Sequence, residues 1–320
     1  MDRNGSGMEK DLTRRLAAVD IGSNTLLLRI VELRGGNLHS ILDIQRVAGL
    51  GRTLRQTGRL RPENVRKALN ILSEYRHLCE AQGAKVVLPV ATAAVREARN
   101  GGEFLKAVKR EVGWTVRLIS GEEEARLTYL GALSNKSALK GTILVIDIGG
   151  GSTEFIWGSP PQWQGRVSLP TGSVKLKEEH LKSDPPTETE WEALEAAVGD
   201  NLAHPALADL HPNVCVGTSG TVTTLAAMEL KMSVYNGAKL DGFRLGRNSV
   251  TALLRKMAAV SSEQRLKMPG LTSGREDVIL AGAFLLEKIL EKFHLPEILV
   301  SDRGLRFGLI WDYLRREGDL

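Results

Sequence analysis

The sequence has little cysteine, few aromatic residues and no long apolar run, and each shortage excludes a class of protein. Its two cysteines, Cys79 and Cys215, lie far apart in 320 residues and can build neither a disulfide framework nor a zinc cluster. Aromatic residues make up 5% of the chain and do not alternate with basic residues, which argues against a base-stacking nucleic-acid surface. No apolar run approaches the ~18 residues of a membrane-spanning helix. We therefore expect neither nucleic acid nor a membrane as a partner.

Positive charge is in small excess, and histidine is sparse. The 43 basic and 38 acidic residues leave a net charge of +5, which suits an anionic partner. The six histidines show no ligand spacing and predict no histidine metal site. The polar start, residues 1–15, lacks an apolar signal core and is expected to be disordered, which favours a cytoplasmic protein.

With 42% hydrophobic and 25% charged residues, the chain is expected to fold and is long enough for two domains. Its apolar residues predict strands at 16–20, 25–33, 85–92, 114–119, 142–148, 153–158, 164–169, 213–217 and 297–301. They predict helices at 62–82, 93–99, 102–112, 121–134, 173–182, 187–208, 221–230, 248–258, 274–292 and 304–316. This order indicates an α/β fold with mixed sheets, in which Pro89 marks an irregular or edge position.

One segment occurs twice. AAVDIGSNT at 17–25 and LVIDIGGGST at 144–153 each lead from an apolar strand through an aspartate and a glycine turn to a second strand. Two such halves, each with its own sheet, predict two similar domains facing each other across a cleft. We expect the first at 16–124 and the second at 125–303, with the last predicted helix packing back on the first.

These glycine turns suit phosphate. Glycine lets several backbone N–H groups approach an anion, serine and threonine add donors, and an aspartate at the strand end can bind a divalent cation. The three glycines 149–151, followed by Ser152 and Thr153, are the strongest signal. GTSGT at 217–221 is a third such loop, before a helix start that attracts phosphate. The alternatives are a tight hairpin for the glycines and a helix cap for GTSGT.

The segment ISGEEEARLTYLG contains a candidate general base. Ser120 and Glu123 match a capping box at a helix start, which gives Glu122 and Glu123 a structural explanation. Glu124 lies further into the helix and has less of one. It is therefore the candidate for activating a water molecule.

Arginines form three groups: Arg52, Arg55, Arg59 and Arg61; Arg96 and Arg99; Arg303 and Arg306. Arginine binds phosphate oxygens bidentately, so their presence near the glycine loops favours a polyanionic substrate. Solvated surface charge is the alternative for any one of them.

The motifs together resemble one family. DIGSNT, VATAAVREARN, ISGEEEARLTYLG, DIGGGSTE, PTGSVKL and GTSGT occur in the order found in the exopolyphosphatase and guanosine pentaphosphate phosphohydrolase (Ppx/GppA) family. MPGLTSGREDVILAG and VSDRGLRFGLI extend the resemblance over residues 16–314. The chain looks like a short, two-domain form without the C-terminal helical domains of longer members.

The resemblance implies two actin-like, ribonuclease-H-like domains with the active site in the cleft between them. It implies Mg²⁺-dependent release of the terminal phosphate from inorganic polyphosphate, from guanosine pentaphosphate (a stringent-response alarmone), or from both. Assistance by K⁺ and assembly into a homodimer are left open.

The family's site residues carry over onto matching positions. The catalytic glutamate falls on Glu124 and the metal-binding aspartate on Asp147, with Glu154 as a weaker metal candidate. The phosphate-binding positions fall on Gly22, Ser23, Asn24, Arg96, Gly149, Gly150, Gly151, Ser152, Thr153, Ser219, Gly220 and Thr221.

One departure and two rival functions accompany this reading. Where the family often has RLGEGL, this chain has GLGRTL at 49–54, which replaces acidic character with Arg52. An actin-like or sugar-kinase-type ATP phosphotransferase would share the glycine loops without needing Glu124. A non-catalytic polyphosphate or alarmone sensor would be favoured by the altered GLGRTL segment.

Overall fold

A computed structural model describes residues 14–160 and 162–319, whose strands form two separate mixed sheets. One unit runs to Glu124 and resumes at Leu309, and the other is Ala125–Gly308. The expected disordered N-terminus lies outside the described residues up to residue 13, whereas Arg14 and Arg15 already belong to the first strand.

The first unit contains a five-stranded sheet. Its elements are β1 Arg14–Ile21, β2 Thr25–Arg34, β3 Asn37–Val47, α1 Leu54–Thr57, α2 Pro62–Ala81, β4 Val86–Ala91, α3 Ala93–Glu97, α4 Gly101–Glu111 and β5 Arg117–Leu118. The strand order is β3-β2-β1-β4-β5. The first three are antiparallel neighbours, and β4 and β5 continue parallel to β1.

The second unit contains a six-stranded sheet. Its elements are β6 Ile143–Ile148, β7 Thr153–Ser159, β8 Gln162–Leu169, α6 Ser173–His180, α7 Glu188–Leu202, a 3₁₀ turn Pro205–Leu207, β9 Val214–Thr218, α8 Ser219–Glu229, α9 Gly237–Leu240, β10 Arg244–Gly246, α10 Arg247–Ala258, α11 Ser262–Arg265, α12 Ile279–Lys292 and β11 Glu297–Val300. The strand order is β10-β11-β9-β6-β7-β8. Helices α5 Gly121–Leu133 and α13 Leu305–Glu317 contain the two boundaries between units.

The two sheets repeat one topology. In each, an antiparallel meander (β1-β2-β3 and β6-β7-β8) continues from its first strand into parallel strands, β4 and β5 in one sheet and β9 and β11 in the other. β10 is an extra antiparallel edge strand. The predicted α/β class with two related mixed sheets is confirmed.

Each unit has its own apolar core. In the first, α2 buries Leu72 and Tyr75, whose hydroxyl donates to Leu26 O at 2.9 Å. Cys79 on α2 and Cys215 on β9 are buried and unlinked, as core cysteines are expected to be. Burial raises the pKa of the Cys79 thiol to about 12. In the described part of the chain, no helix is long and apolar enough to cross a membrane.

Several predicted boundaries were wrong. β3 was missed because most of its side chains are exposed, so its sequence NLHSILDIQRV is too polar to read as a strand. Of the strand expected at 114–119, only the two residues of β5 form a strand. The helix expected from 187 to 208 ends at Leu202. The helix expected from 274 begins at Ile279. β4 lies inside its sheet, but β5 pairs only beyond Pro89, so the strand has one neighbour there.

Candidate active site

The predicted loops follow the carboxyl ends of parallel strands. In the first unit these strands are β1, β4 and β5, and in the second they are β6, β9 and β11. Such ends lie at one edge of a sheet, where α/β proteins commonly bind ligands. Segments that are distant in sequence therefore become neighbours within each unit.

The glycine turn at 149–152 packs against the start of α6. Ser173 donates its N–H to the first carbonyl of the turn at 2.9 Å, and the next two N–H groups of α6 donate to Gly150 O at 2.9 and 3.0 Å. A Cβ at Gly172 would lie 2.6 Å from Gly150 O, so glycine is needed there. The N–H groups of Gly150 and Gly151 donate to none of the described residues and are available to an anion.

The GTSGT loop lies beside this turn, at the end of β9. The hydroxyls of Ser219 and Thr221 both reach Ile148 O, at 3.1 and 3.3 Å, and so join the loop to the end of β6. α8 begins at Ser219, which places its first N–H groups next to the glycine turn. The structure thus brings two predicted phosphate loops together in the second unit.

Asp147 and Glu154 are direct partners on the antiparallel strands β6 and β7. Directly opposite residues project from the same face of a sheet, so the two carboxylates are neighbours. Glu154 Oε1 also accepts hydrogen bonds from Ser152 Oγ at 2.7 Å and Ser168 Oγ at 2.9 Å. Both predicted metal candidates therefore lie together beside the glycine turn.

These carboxylates provide oxygen donors that fit Mg²⁺. Burial raises the pKa of Asp147, and the hydroxyls of Ser219 and Thr218 act in the opposite direction. Among the described residues, no group of three or more acidic, histidine or cysteine side chains could hold a metal. Mg²⁺ at Asp147 and Glu154 would need phosphate oxygens and water as further ligands, which is usual for this ion.

Arg275 is a site candidate that the sequence prediction missed. Its guanidinium lies against Gly220, where a Cβ would be 2.1 Å from Nη2 and 2.2 Å from Nη1. Burial lowers the pKa of Arg275, and Tyr235 acts in the opposite direction. An arginine over a phosphate loop can bind phosphate oxygens bidentately. The available signal was its place in MPGLTSGREDVILAG, a family-like segment to which no role was given.

In the first unit, the turn at 22–24 is held by the GLGRTL segment. Asn24 O accepts hydrogen bonds from the N–H groups of Ala48, which precedes this segment, and of Gly49, which begins it, at 3.0 and 2.8 Å. Ser23 O accepts from Gly51 N at 2.7 Å. The side chains of Ser23 and Asn24 are exposed. The departure from the family pattern therefore lies directly beside a predicted phosphate loop.

The start of α5 positions Glu124. Ser120 Oγ accepts from Glu123 N at 3.1 Å, which is one half of the predicted capping box. The Glu123 carboxylate pairs with Arg117 at 2.5 Å. Glu124 donates its own N–H to Ser120 O at 2.9 Å and so stands in the first turn of a capped helix.

Arg96 is the partner of Glu124. Its Nη1 lies 3.5 Å from Glu124 Oε2 and donates to Ile119 O at 2.9 Å. About a third of each side chain is exposed, 32% for Arg96 and 33% for Glu124. The predicted base is thus oriented by a predicted phosphate-binding arginine and is open to solvent.

Other candidate residues use their polar groups inside the protein. Thr153 is buried, and its hydroxyl donates to Thr171 O at 2.6 Å. Arg303 pairs with Asp241 at 3.2 Å and packs over the ring of Phe307. The first contact supports the glycine turn, and the second gives Arg303 a structural role.

Known proteins with similar sequences point to one family. The family model described as the Ppx/GppA phosphatase family matches residues 29–317. "Exopolyphosphatase 2" of Mycobacterium tuberculosis is 30% identical over 312 residues, covering 92% of this chain and 97% of that protein. "Guanosine-5'-triphosphate,3'-diphosphate pyrophosphatase" of Vibrio cholerae is 31% identical, covering 93% of this chain and 59% of that protein.

Solved structures show the same similarity. A Ppx/GppA family member from Aquifex aeolicus has a TM-score of 0.85 and 36% identity, covering 95% of this chain and 99% of that chain. An exopolyphosphatase from Cytophaga hutchinsonii has a TM-score of 0.84 and 26% identity, covering 95% of this chain and 98% of that chain.

Proposed function

Because the chain belongs to the Ppx/GppA phosphatase family, we propose that it is a Mg²⁺-dependent phosphoanhydride hydrolase that releases terminal phosphate from inorganic polyphosphate, guanosine pentaphosphate, or both. Relatives named for each activity support a phosphate hydrolase. The observation that carries the proposal is Glu124, a solvent-open carboxylate in a capped helical turn with Arg96 at 3.5 Å. Hydrolysis requires a positioned base for water, which phosphate binding alone does not.

In the proposed reaction, Glu124 accepts a proton from water as the water attacks the terminal phosphorus. Arg96 orients the Glu124 carboxylate, and its guanidinium can also contact phosphate oxygens bound beside it. Breaking the phosphoanhydride bond then leaves the shortened chain carrying the bridging oxygen as its new terminal oxygen.

In the second unit, the N–H groups of Gly150 and Gly151 and the start of α8 bind phosphate oxygens, with Arg275 over Gly220 as a further donor. Asp147 and Glu154 would hold Mg²⁺, which would supply positive charge against the charge that develops on the phosphoryl oxygens. Thr153 supports the turn through its bond to Thr171 O.

The proposal is tested by measuring phosphate release from long polyphosphate, tripolyphosphate, guanosine pentaphosphate and ATP, with Mg²⁺ and with a chelator. We expect release from at least one of the first three, and its loss with the chelator. Transfer of phosphate from ATP to an added acceptor, without release from these substrates, would support the phosphotransferase. Binding without any release would contradict hydrolysis and support a sensor.

A further inference from the structure

The segment that follows the Ser23 turn exposes arginines from a fixed backbone. Its leucines Leu50, Leu54 and Leu60 are buried in the core of the first unit. Gly51 is in contact with the turn, since a Cβ there would lie 3.0 Å from Ser23 Cβ. The position of this segment beside the turn is therefore set by the core.

Arg52 lies over the backbone that holds the turn. Its side chain folds across Gly49, where a Cβ would be 2.9 Å from the arginine Nε. Gly49 has a φ of +69° and donates its N–H to Asn24 O at 2.8 Å. Both the positive φ and the covering arginine require glycine at this point. The exposed Arg52 thus packs on Gly49, the residue that is hydrogen-bonded to the predicted phosphate turn.

Arg99 stands at the other end of α1. It donates its N–H to Gly58 O at 3.0 Å, and its Nε lies 3.3 Å from where a Cβ on Gly58 would be. Asn100 fixes this contact by exchanging hydrogen bonds with Leu60 at 2.8 and 3.0 Å. α1 is about 6 Å long for its four residues. Arg52 and Arg99 therefore mark the two ends of a short, fixed path.

These two arginines have no carboxylate partner among the described residues. Arg59 and Arg61, which lie between them in sequence, each face an exposed glutamate, at 3.9 and 3.6 Å. Arg61 Nε also donates to Thr53 Oγ1 at 2.7 Å. Two unpaired guanidinium groups at the ends of the path are suited to bidentate contacts with an anion.

We propose that Arg52 and Arg99 bind the unreacted part of an inorganic polyphosphate chain that extends from the Ser23 turn along α1. This inference rests on the proposed function and names its substrate class. A linear polyanion presents phosphates to both arginines, whereas a guanosine nucleotide presents a base and ribose after a short phosphate run. The surface therefore favours long inorganic chains over tripolyphosphate and over guanosine pentaphosphate.

Binding tests the surface independently of turnover. In a Glu124→Gln background, affinities for long polyphosphate and tripolyphosphate are compared with and without Arg52→Gln/Arg99→Gln. A hydrogen bond between charged groups is worth about tenfold or more in affinity. We expect the double change to weaken the binding of long polyphosphate at least about tenfold and the binding of tripolyphosphate less than about twofold. Equal weakening of both, or of neither, would overturn the inference.

The control is Lys109→Gln/Arg110→Gln, which removes the same two positive charges from the exposed last turn of α4, where Arg110 pairs with Glu111. It should leave both affinities unchanged. If it weakens binding as much as the Arg52/Arg99 change does, the loss comes from overall charge and the inference is overturned. In turnover, wild-type kcat/KM should rise with chain length, and the Arg52/Arg99 change should abolish that rise. If the Arg52/Arg99 change lowers kcat/KM for guanosine pentaphosphate as much as for long polyphosphate, the choice of substrate class is overturned. If no substrate is hydrolysed, the proposed function fails, while the binding comparison still decides the inference.

Discussion

At the scale of single residues, Gly220 and Arg275 form a contact that one methyl group would disrupt. A Cβ on Gly220 would lie 2.1 Å from the Arg275 guanidinium, the far end of a flexible side chain. We predict that Gly220→Ala displaces Arg275 and raises KM about tenfold while changing the melting temperature little. Steady-state kinetics and thermal unfolding test this.

The matched control for that change is Gly199→Ala, because a Cβ on Gly199 meets nothing within 4 Å. Its KM should equal that of the wild type. An unchanged KM in Gly220→Ala would contradict a substrate role for Arg275.

At the residue scale, the sequence predicts which candidate residues are neighbours only where they are close along the chain. Asp147 and Glu154 flank one short turn, so their pairing across β6 and β7 follows from the turn length. The Arg275 contact could not be predicted in this way. It depends on how the segment before α12 packs against the start of α8, and no sequence spacing encodes that packing.

At the scale of elements, helix α7 offers two substitutions with opposite expected effects on the free energy of unfolding. Thr187 caps it, accepting from Glu190 N at 3.3 Å, while Glu190 Oε2 accepts from Thr187 N at 2.8 Å. We predict that Thr187→Ala lowers the free energy of unfolding by about 1 kcal/mol. Gly199→Ala, at an exposed position of α7, should raise it by about 0.5–1 kcal/mol.

Denaturant unfolding at neutral pH measures both changes. A stabilising Thr187→Ala would contradict the capping geometry. A destabilising Gly199→Ala would contradict the open space at that glycine.

Elements with strong apolar periods were predictable, and exposed or short ones were not. The strands on either side of each glycine turn are buried and appear where the apolar runs indicated. β3 presents mostly exposed side chains, and its strand character comes from pairing with β2. β5 is two residues long because only Val90 and Ala91 of β4 pair with it.

At the scale of the whole molecule, acid stability tests the buried ion pair between Asp241 and Lys136 in the second unit, 2.7 Å apart. Burial acts to raise the pKa of Asp241, but the charge of Lys136, with hydrogen bonds from Lys136 and Asn135, holds that pKa below its usual range. A carboxyl group whose pKa is lower in the folded than in the unfolded state stabilises the folded protein at pH values above its unfolded-state pKa of ~3.9. This contribution is lost as pH falls through the folded-state pKa.

We therefore predict that Asp241→Asn lowers the free energy of unfolding by about 3 kcal/mol at pH 7, because it leaves Lys136 buried without its partner charge. The difference from wild type should narrow below about pH 4. Urea unfolding across pH measures this, with Asp209→Asn, at an exposed aspartate, as the control. A difference that stays constant with pH would contradict the assignment.

The internal repeat made the architecture predictable from the sequence. DIGSNT and DIGGGSTE follow β1 and β6, which occupy the same place in two sheets of one topology. The position of the GLGRTL segment beside Ser23 was not predictable, because this contact arises only when the end of β3 pairs with the start of β2.

The most direct test of the central claim is phosphate release by Glu124→Gln beside Glu122→Gln. Both changes remove one charge from the first turn of α5, but only Glu124 pairs with Arg96. A positioned base contributes about 10²–10⁴-fold to the rate. We predict a loss of at least about a hundredfold in kcat for Glu124→Gln with substrate binding retained, and near-wild-type release for Glu122→Gln. Equal activity of the two variants would contradict the claim that Glu124 activates the attacking water.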